Sequence, residues 1–178
     1  MHTEVLSFWF EEIDKKLWFK TDKNFDDLIR KRFLGLMQQA AAGELYVWRQ
    51  TAEGRLAEII VLDQFSRNVY RDKPLAFSQD PMALVLAQEA VASGALDLLN
   101  PTQRSFLLMP YMHSESKEIH AVAEALYREF APEGNYDFEL RHKAIIDRFN
   151  RYPHRNEILG RTSTAEELEF LAQPGSRF

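Results

Sequence analysis

Apolar side chains recur at the spacing of an α-helix along most of this chain, and that period limits the possible folds more than any other feature. Ile119, Val122, Ala123, Leu126, Tyr127 and Phe130 follow the i, i+3, i+4, i+7 pattern of one helix face. Ser114 or Ser116 can cap the start of this helix, and Pro132 with Gly134 can close it. A second helix is marked by Phe25, Leu28, Ile29, Phe33, Leu36, Met37 and Ala40 and stops near Gly43. Asp80-Pro81 reads as a cap followed by proline at the first helical position, and that helix ends near Gly94. Asn100-Pro101 opens a further helix in the same way, with Pro110 expected to end it. Phe138, His142, Ile145, Ile146 and Phe149 mark another. Ser163-Thr164-Ala165-Glu166 has the spacing of a capping box and is expected to open a short helix burying Leu168 and Leu171.

Residues 53–70 differ. Leu56, Ile59, Ile60, Val61, Leu62, Phe65 and Val69 surround a helix on nearly every side, which predicts a central position. No strand alternation and no Asn-Gly or Asp-Gly hairpin turn interrupts the pattern. The expectation is an all-α domain over residues 1–172, about seven helices in antiparallel pairs, with a short tail at 173–178. No fixed repeat aligns by eye, so the residues alone fit a helical bundle or a short helical solenoid. Trp9, Phe10, Trp18, Phe19 and Trp48 are expected in the core or along a groove.

Composition removes several function classes. At 178 residues, 46% apolar and 28% charged, the chain is neither disordered nor membrane-like. Its longest strongly apolar run, residues 59–62, is far short of the roughly 20 residues of a membrane span. A net charge of −5 argues against nucleic acid as a partner. Without cysteine there is no disulfide, thiol nucleophile, iron–sulfur cluster or thiolate zinc site. The first residues show no basic stretch or small-residue cleavage site, so no secretory signal is expected and a cytoplasmic setting fits.

Polar residues placed on apolar faces are the candidates for function. Asp63 and Arg67 continue the stripe of Leu56 and Ile60, spaced for an intrahelical pair. They are either a structural ion pair or part of a site. His142 sits on the stripe of Phe138 and Ile145, as a core histidine or a ligand contact. Glu139 and His142 have the Glu-x-x-His spacing of di-iron bundles, but the second such pair is missing. His113 and Glu115 precede a strong helix, where Glu115 can cap or the two can line a cleft. Residues 141–161 hold six basic residues against two acidic, a local +4 in a chain of −5. Within them His154 and Arg155 follow Pro153, at the start of a short helix whose dipole opposes cations. Internal carboxylates, a bound anion or solvent can compensate them.

Several of these residues lie in longer motifs. Leu62-Asp63-Gln64-Phe65-Ser66-Arg67-Asn68-Val69-Tyr70-Arg71, Pro110-Tyr111-Met112-His113-Ser114-Glu115 and Arg148-Phe149-Asn150-Arg151-Tyr152-Pro153-His154-Arg155-Asn156 resemble signatures of the bacterial domain-of-unknown-function family 924. Arg141-His142, Leu159-Gly160-Arg161, Ser163-Thr164, Phe8-Trp9-Phe10 and Trp18-Phe19 fit the same family. The resemblance implies a tetratricopeptide-like helical fold and brings no activity with it. Ser66 stands where the family usually has proline, and Asn150 where it usually has glycine. Asparagine tolerates a left-handed backbone, so the bend at Asn150 is expected to survive.

The expectation for function is a polar cleft gathering Asp63, Arg67, His113, Glu115, His142, Arg148, His154, Arg155 and Arg161. As a non-enzymatic binding module it would hold an anionic small molecule or an acidic peptide end, without a cofactor or resident metal. As an enzyme it would use one of its histidines as acid or base, with Asp63 or Glu115 fixing the tautomer, or would recruit a metal through them. A purely structural polar core is the third reading. The sequence specifies no oligomeric state.

Overall fold

The computed structural model describes residues 1–132 and 134–177. Among these residues there is no strand, and the α-helical segments number nine rather than about seven. They are α1 (2–12), α2 (Lys23–Ala41), α3 (52–69), α4 (Asp80–Ala92), α5 (Ala95–Leu98), α6 (Pro101–Met112), α7 (Lys117–Phe130), α8 (Asn135–Phe149) and α9 (Ala165–Leu171). The periodicity missed α1 and α5. In α1 the turn His2–Ser7 runs into a π-helical turn, Phe8–Glu12, whose wider winding breaks the 3.6-residue period. With four residues, α5 is too short to show a period. Short 3-10 turns at Lys15–Phe19, Tyr46–Gln50, Pro74–Phe77 and Pro153–Arg155 fill the links.

Local chemistry sets most helix ends. Asp22 caps α2, Thr51 caps α3 and Ser116, of the two serine candidates, caps α7. Asn100 and Thr164 form full capping boxes with Gln103 and Glu167, the second one residue later than the Ser163–Glu166 spacing suggested, because Thr164 rather than Ser163 takes the cap position. Asp80 departs from expectation: it lies inside the first turn of α4 with Gln79 in the cap position, so its carboxylate is free for tertiary contacts. Pro110 does not end α6, which runs on to Met112 with the proline buried inside it. Asn150 closes α8 at φ 57°, the left-handed bend expected of it.

The central position of α3 follows from its all-round apolar surface. Leu56, Ile59, Ile60, Val61 and Phe65 are wholly buried, with α1, α2, α4 and α6 packed around them. Trp9 packs there too, edge-on to Phe106 and tilted against Phe65. From this core α7 lies on α6, and α8 on both. A smaller apolar cluster joins Ile145, Ile146 and Tyr152 to Phe149 and Phe170.

Several stripe residues face solvent instead. Phe19, Leu28, Val122, Phe138 and Leu168 are exposed. In α8 the buried positions are Glu139, His142, Ile145 and Ile146, one residue round from Phe138, which Arg141 covers. In α9 the inward position belongs to Glu167, held by Arg151 through contacts of 2.6 and 2.7 Å, so Leu168 turns outward. Beyond α9, Ser176 is buried and donates to the Leu171 carbonyl, while Phe178 lies outside the described residues. No helix among the described residues is long and apolar enough to cross a membrane.

Candidate functional site

The middle of α3 winds into a π-helical turn, Val61–Phe65, and Asp63 sits in it, 1% exposed. Such turns re-aim one residue without ending a helix. Asp63 Oδ1 meets Nδ1 of His113 at 2.8 Å and Arg67 at 3.0 Å, while Gln64 donates to Oδ2. Burial pushes the Asp63 carboxyl up, but the charges of Arg67 and His113 and these hydrogen bonds outweigh it and hold the group well below the usual carboxylate range. Burial and the nearby Arg67 hold the His113 imidazole below its ordinary value, against the pull of Asp63. A neutral ring beside an ionised carboxylate has its hydrogen on Nδ1, donated to Asp63. Nε2 is then an acceptor, and among the described residues no group bonds to it.

Arg67 continues outward to Asp80, donating to Oδ1 at 2.8 Å and Oδ2 at 3.0 Å. Arg155 reaches the same Oδ2 at 3.3 Å and donates to the backbone carbonyl of His113 at 3.0 Å. Its guanidinium lies between the rings of Phe77 and Tyr152, 4.6 and 4.7 Å from their centroids. The side chain is only 7% exposed, and its Nε–H is buried without an acceptor. Burial and Arg67 both press the Arg155 guanidinium below its usual value.

A second layer lies behind. Glu115 accepts from both terminal nitrogens of Arg161, at 2.7 and 2.9 Å, and from the Tyr152 backbone N–H at 2.7 Å. Burial pushes Glu115 up, yet these donors leave it below its ordinary value. The Tyr152 hydroxyl donates to the Met112 carbonyl and lies 3.2 Å from Nε2 of His120, whose Nδ1 contacts Glu139 at 2.7 Å. The His142 Nδ1–H donates to the Phe138 carbonyl, and the rings of His142 and His154 pack against Tyr152. Burial is the largest cause that lowers these two imidazoles, to about 4 for His142 and about 3 for His154.

Eight of the nine expected residues thus gather around Tyr152, the Asp80 bridge and the Asp63–His113 pair. Arg148 does not: it is half exposed and pairs with Glu166 at 2.7 Å on the outer surface. The basic excess of residues 141–161 is met largely by acidic groups of the chain itself, with Asp80, Glu115, Glu166 and Glu167 opposite Arg155, Arg161, Arg148 and Arg151. Sequence reasoning missed Asp80, taken for a cap, and the buried pair His120–Glu139. The Glu-x-x-His spacing was the one signal that touched Glu139, but Glu139 contacts His120 rather than joining His142. Among the described residues no three His, Asp or Glu side chains form a metal-holding group.

The front of the network opens into a cleft of about 370 Å³. Phe77, Pro81, Leu84, Pro110 and Leu159 give it apolar walls, and Asp80, His113, Glu115 and Arg155 supply polar groups. Across the network three carboxylates (Asp63, Asp80 and Glu115) face three guanidiniums (Arg67, Arg155 and Arg161), so the charges balance. The arrangement can bind through the guanidinium of Arg155 and accept a hydrogen at Nε2 of His113.

A family model described as bacterial protein of unknown function (DUF924) matches residues 5–175. A solved structure of a protein of unknown function from Agrobacterium tumefaciens, ATU0120, superposes with a TM-score of 0.90 at 33% identity, covering 96% of each chain. No curated protein matches the chain.

Proposed function

The chain belongs to the bacterial family of unknown function DUF924, and on that footing we propose that its cleft is a receptor for a small organic monoanion with an apolar body, anchored on Arg155. The observation that carries this reading is how poorly Arg155 is matched inside the protein. Arg67 has both oxygens of Asp80, and Arg161 both oxygens of Glu115. Arg155 has one long contact to Asp80, one backbone carbonyl and a buried Nε–H without an acceptor. A buried guanidinium with spare donors suits a carboxylate, which it can grip with two parallel hydrogen bonds. The balanced charge of the network favours a single added negative charge, because a phosphate dianion would face Asp80 and Glu115. A volume near 370 Å³ is at the small end for ligand pockets, which favours a small molecule over a peptide end. The packing of α6 on α7 and of α7 on α8 supports treating that half as a short tetratricopeptide-like stack, with the cleft where it meets α4.

The test is thermal unfolding in isocaproate against chloride at equal ionic strength. At a hundred times its dissociation constant a ligand adds about 2.7 kcal/mol of stability, and Arg155→Met is expected to abolish the gain. Methionine can fill the slot between Phe77 and Tyr152, and Asp80 keeps Arg67, so the variant should fold. No selective shift from any monocarboxylate, or one that survives in R155M, refutes the reading. A second reading, acid–base catalysis, is favoured by the Asp63–His113 pair, which presents an unprotonated nitrogen on a cleft residue. Recovery of the ligand after incubation with the folded protein separates the two: a ligand recovered chemically altered makes the cleft catalytic, and an unaltered one leaves it a receptor.

A further inference from the structure

We infer that the molecule bound in the cleft is a hydroxy acid, with a carboxylate on Arg155 and a neighbouring hydroxyl donating to Nε2 of His113. The inference rests on the carboxylate grip proposed above and adds a second contact. His113 and Arg155 line the same cleft, and Arg155 donates to the backbone of His113, so the two groups are adjacent. Asp63, buried behind His113, takes the Nδ1–H and fixes the tautomer. Nε2 is then left as an obligate acceptor on a residue that lines the cleft. An acceptor of this kind discriminates strongly between ligands with and without a donor, because its partner is either present or lost. The guanidinium requires an acceptor on the ligand and the imidazole requires a donor. A carboxylate with a nearby hydroxyl supplies both at one net negative charge.

An ammonium could also donate, as in an amino acid, but at His113 burial and Arg67 disfavour positive charge more than Asp63 and Asp80 favour it. The neutral hydroxyl fits that field better.

Leucate, isocaproate and leucine form a matched series in which a hydroxyl, a hydrogen or an ammonium stands beside the carboxylate. Calorimetric titration of the wild-type protein is expected to show leucate binding about tenfold more tightly than isocaproate, with leucine weaker than leucate. His113→Asn keeps an N–H that can donate to Asp63 but, being shorter, puts no acceptor where Nε2 stood, and should level leucate with isocaproate. Equal binding of those two acids by the wild type, or a preference that survives in H113N, overturns the inference and leaves the Arg155 pocket standing. Leucine binding as tightly as leucate overturns the choice of hydroxyl. Failure of all three to bind overturns the pocket itself. Should H113N not fold, the Nε2 resonance of His113 in the wild type decides. It shifts with leucate and stays put with isocaproate if the inference holds, and an equal response to both overturns it.

Discussion

Glu139 and His120 are both sealed from solvent, and a 2.7 Å contact joins Oε1 to Nδ1. The other ring nitrogen of His120 lies 2.9 Å from the Ser114 carbonyl, so Nε2 carries a hydrogen. One hydrogen then occupies the Nδ1–Oε1 contact. Burial holds the Glu139 carboxyl above its ordinary value, with His120 pulling the other way, and Oε2 is buried without a donor, which costs least when the group is uncharged. That single hydrogen ties the two buried groups together. Glu139→Gln, whose amide can donate the same bond, should cost about 1 kcal/mol or less, whereas Glu139→Ala strands a buried acceptor and should cost about 3 kcal/mol. Chemical denaturation of the two variants checks this, and equal losses would mean that the amide does not replace the carboxyl in this contact. At this scale sequence reached Asp63–Arg67 and His142, because i, i+4 spacing on an apolar stripe is local information. The bridge from Arg67 through Asp80 to Arg155 was illegible, because it depends on three elements meeting in space.

Two glycines inside helices show how an element's surroundings decide what one residue is worth. Gly35 lies exposed in the middle of α2, and a Cβ there meets nothing within 4 Å. Gly35→Ala should raise stability by about 0.5–1 kcal/mol, since alanine loses less backbone freedom on folding. Gly54, near the start of α3, is the opposite case. A Cβ there would lie 2.0 Å from the Trp48 carbonyl oxygen, because the turn Tyr46–Gln50 presses its backbone against the helix. The bidentate pair of Arg49 with buried Glu58, at 2.7 and 2.8 Å, ties that turn to α3. Gly54→Ala must separate turn and helix and should cost about 3 kcal/mol or more. Melting curves of the two variants should move in opposite directions. Both glycines stand out in the sequence as helix interruptions, yet nothing local tells them apart. The same holds for whole elements: the long periodic helices were legible, while the π-helical turns, which place Asp63 and disguise α1, carry no period to read.

For the whole molecule, the same burial that shapes the cleft couples stability to acid. His142 titrates near 4 and His154 near 3 in the folded protein, against an ordinary 6.5, and His113 is shifted the same way. As pH falls below 6.5 the unfolded chain takes up protons that the folded one refuses. Stability is therefore full above that value and declines as pH drops toward the folded values. Each such histidine steepens the decline by up to about 1.4 kcal/mol per pH unit. Asp63, Glu115 and Glu167, the last held near 2, have the same sign at lower pH: their contributions are present above the ordinary carboxylate value and vanish as pH falls through the folded one. Glu139 alone among these opposes them, since its raised value favours the folded state in acid. The protein should thus begin to lose stability near pH 6.5, before carboxylates titrate. His142→Asn, which keeps an N–H for the Phe138 carbonyl, should make the decline between pH 6.5 and about 4 shallower by one histidine's share. Urea denaturation across that range measures both slopes. A flat wild-type profile would mean that these imidazoles take protons in the folded state and that the chamber around Tyr152 is open to water.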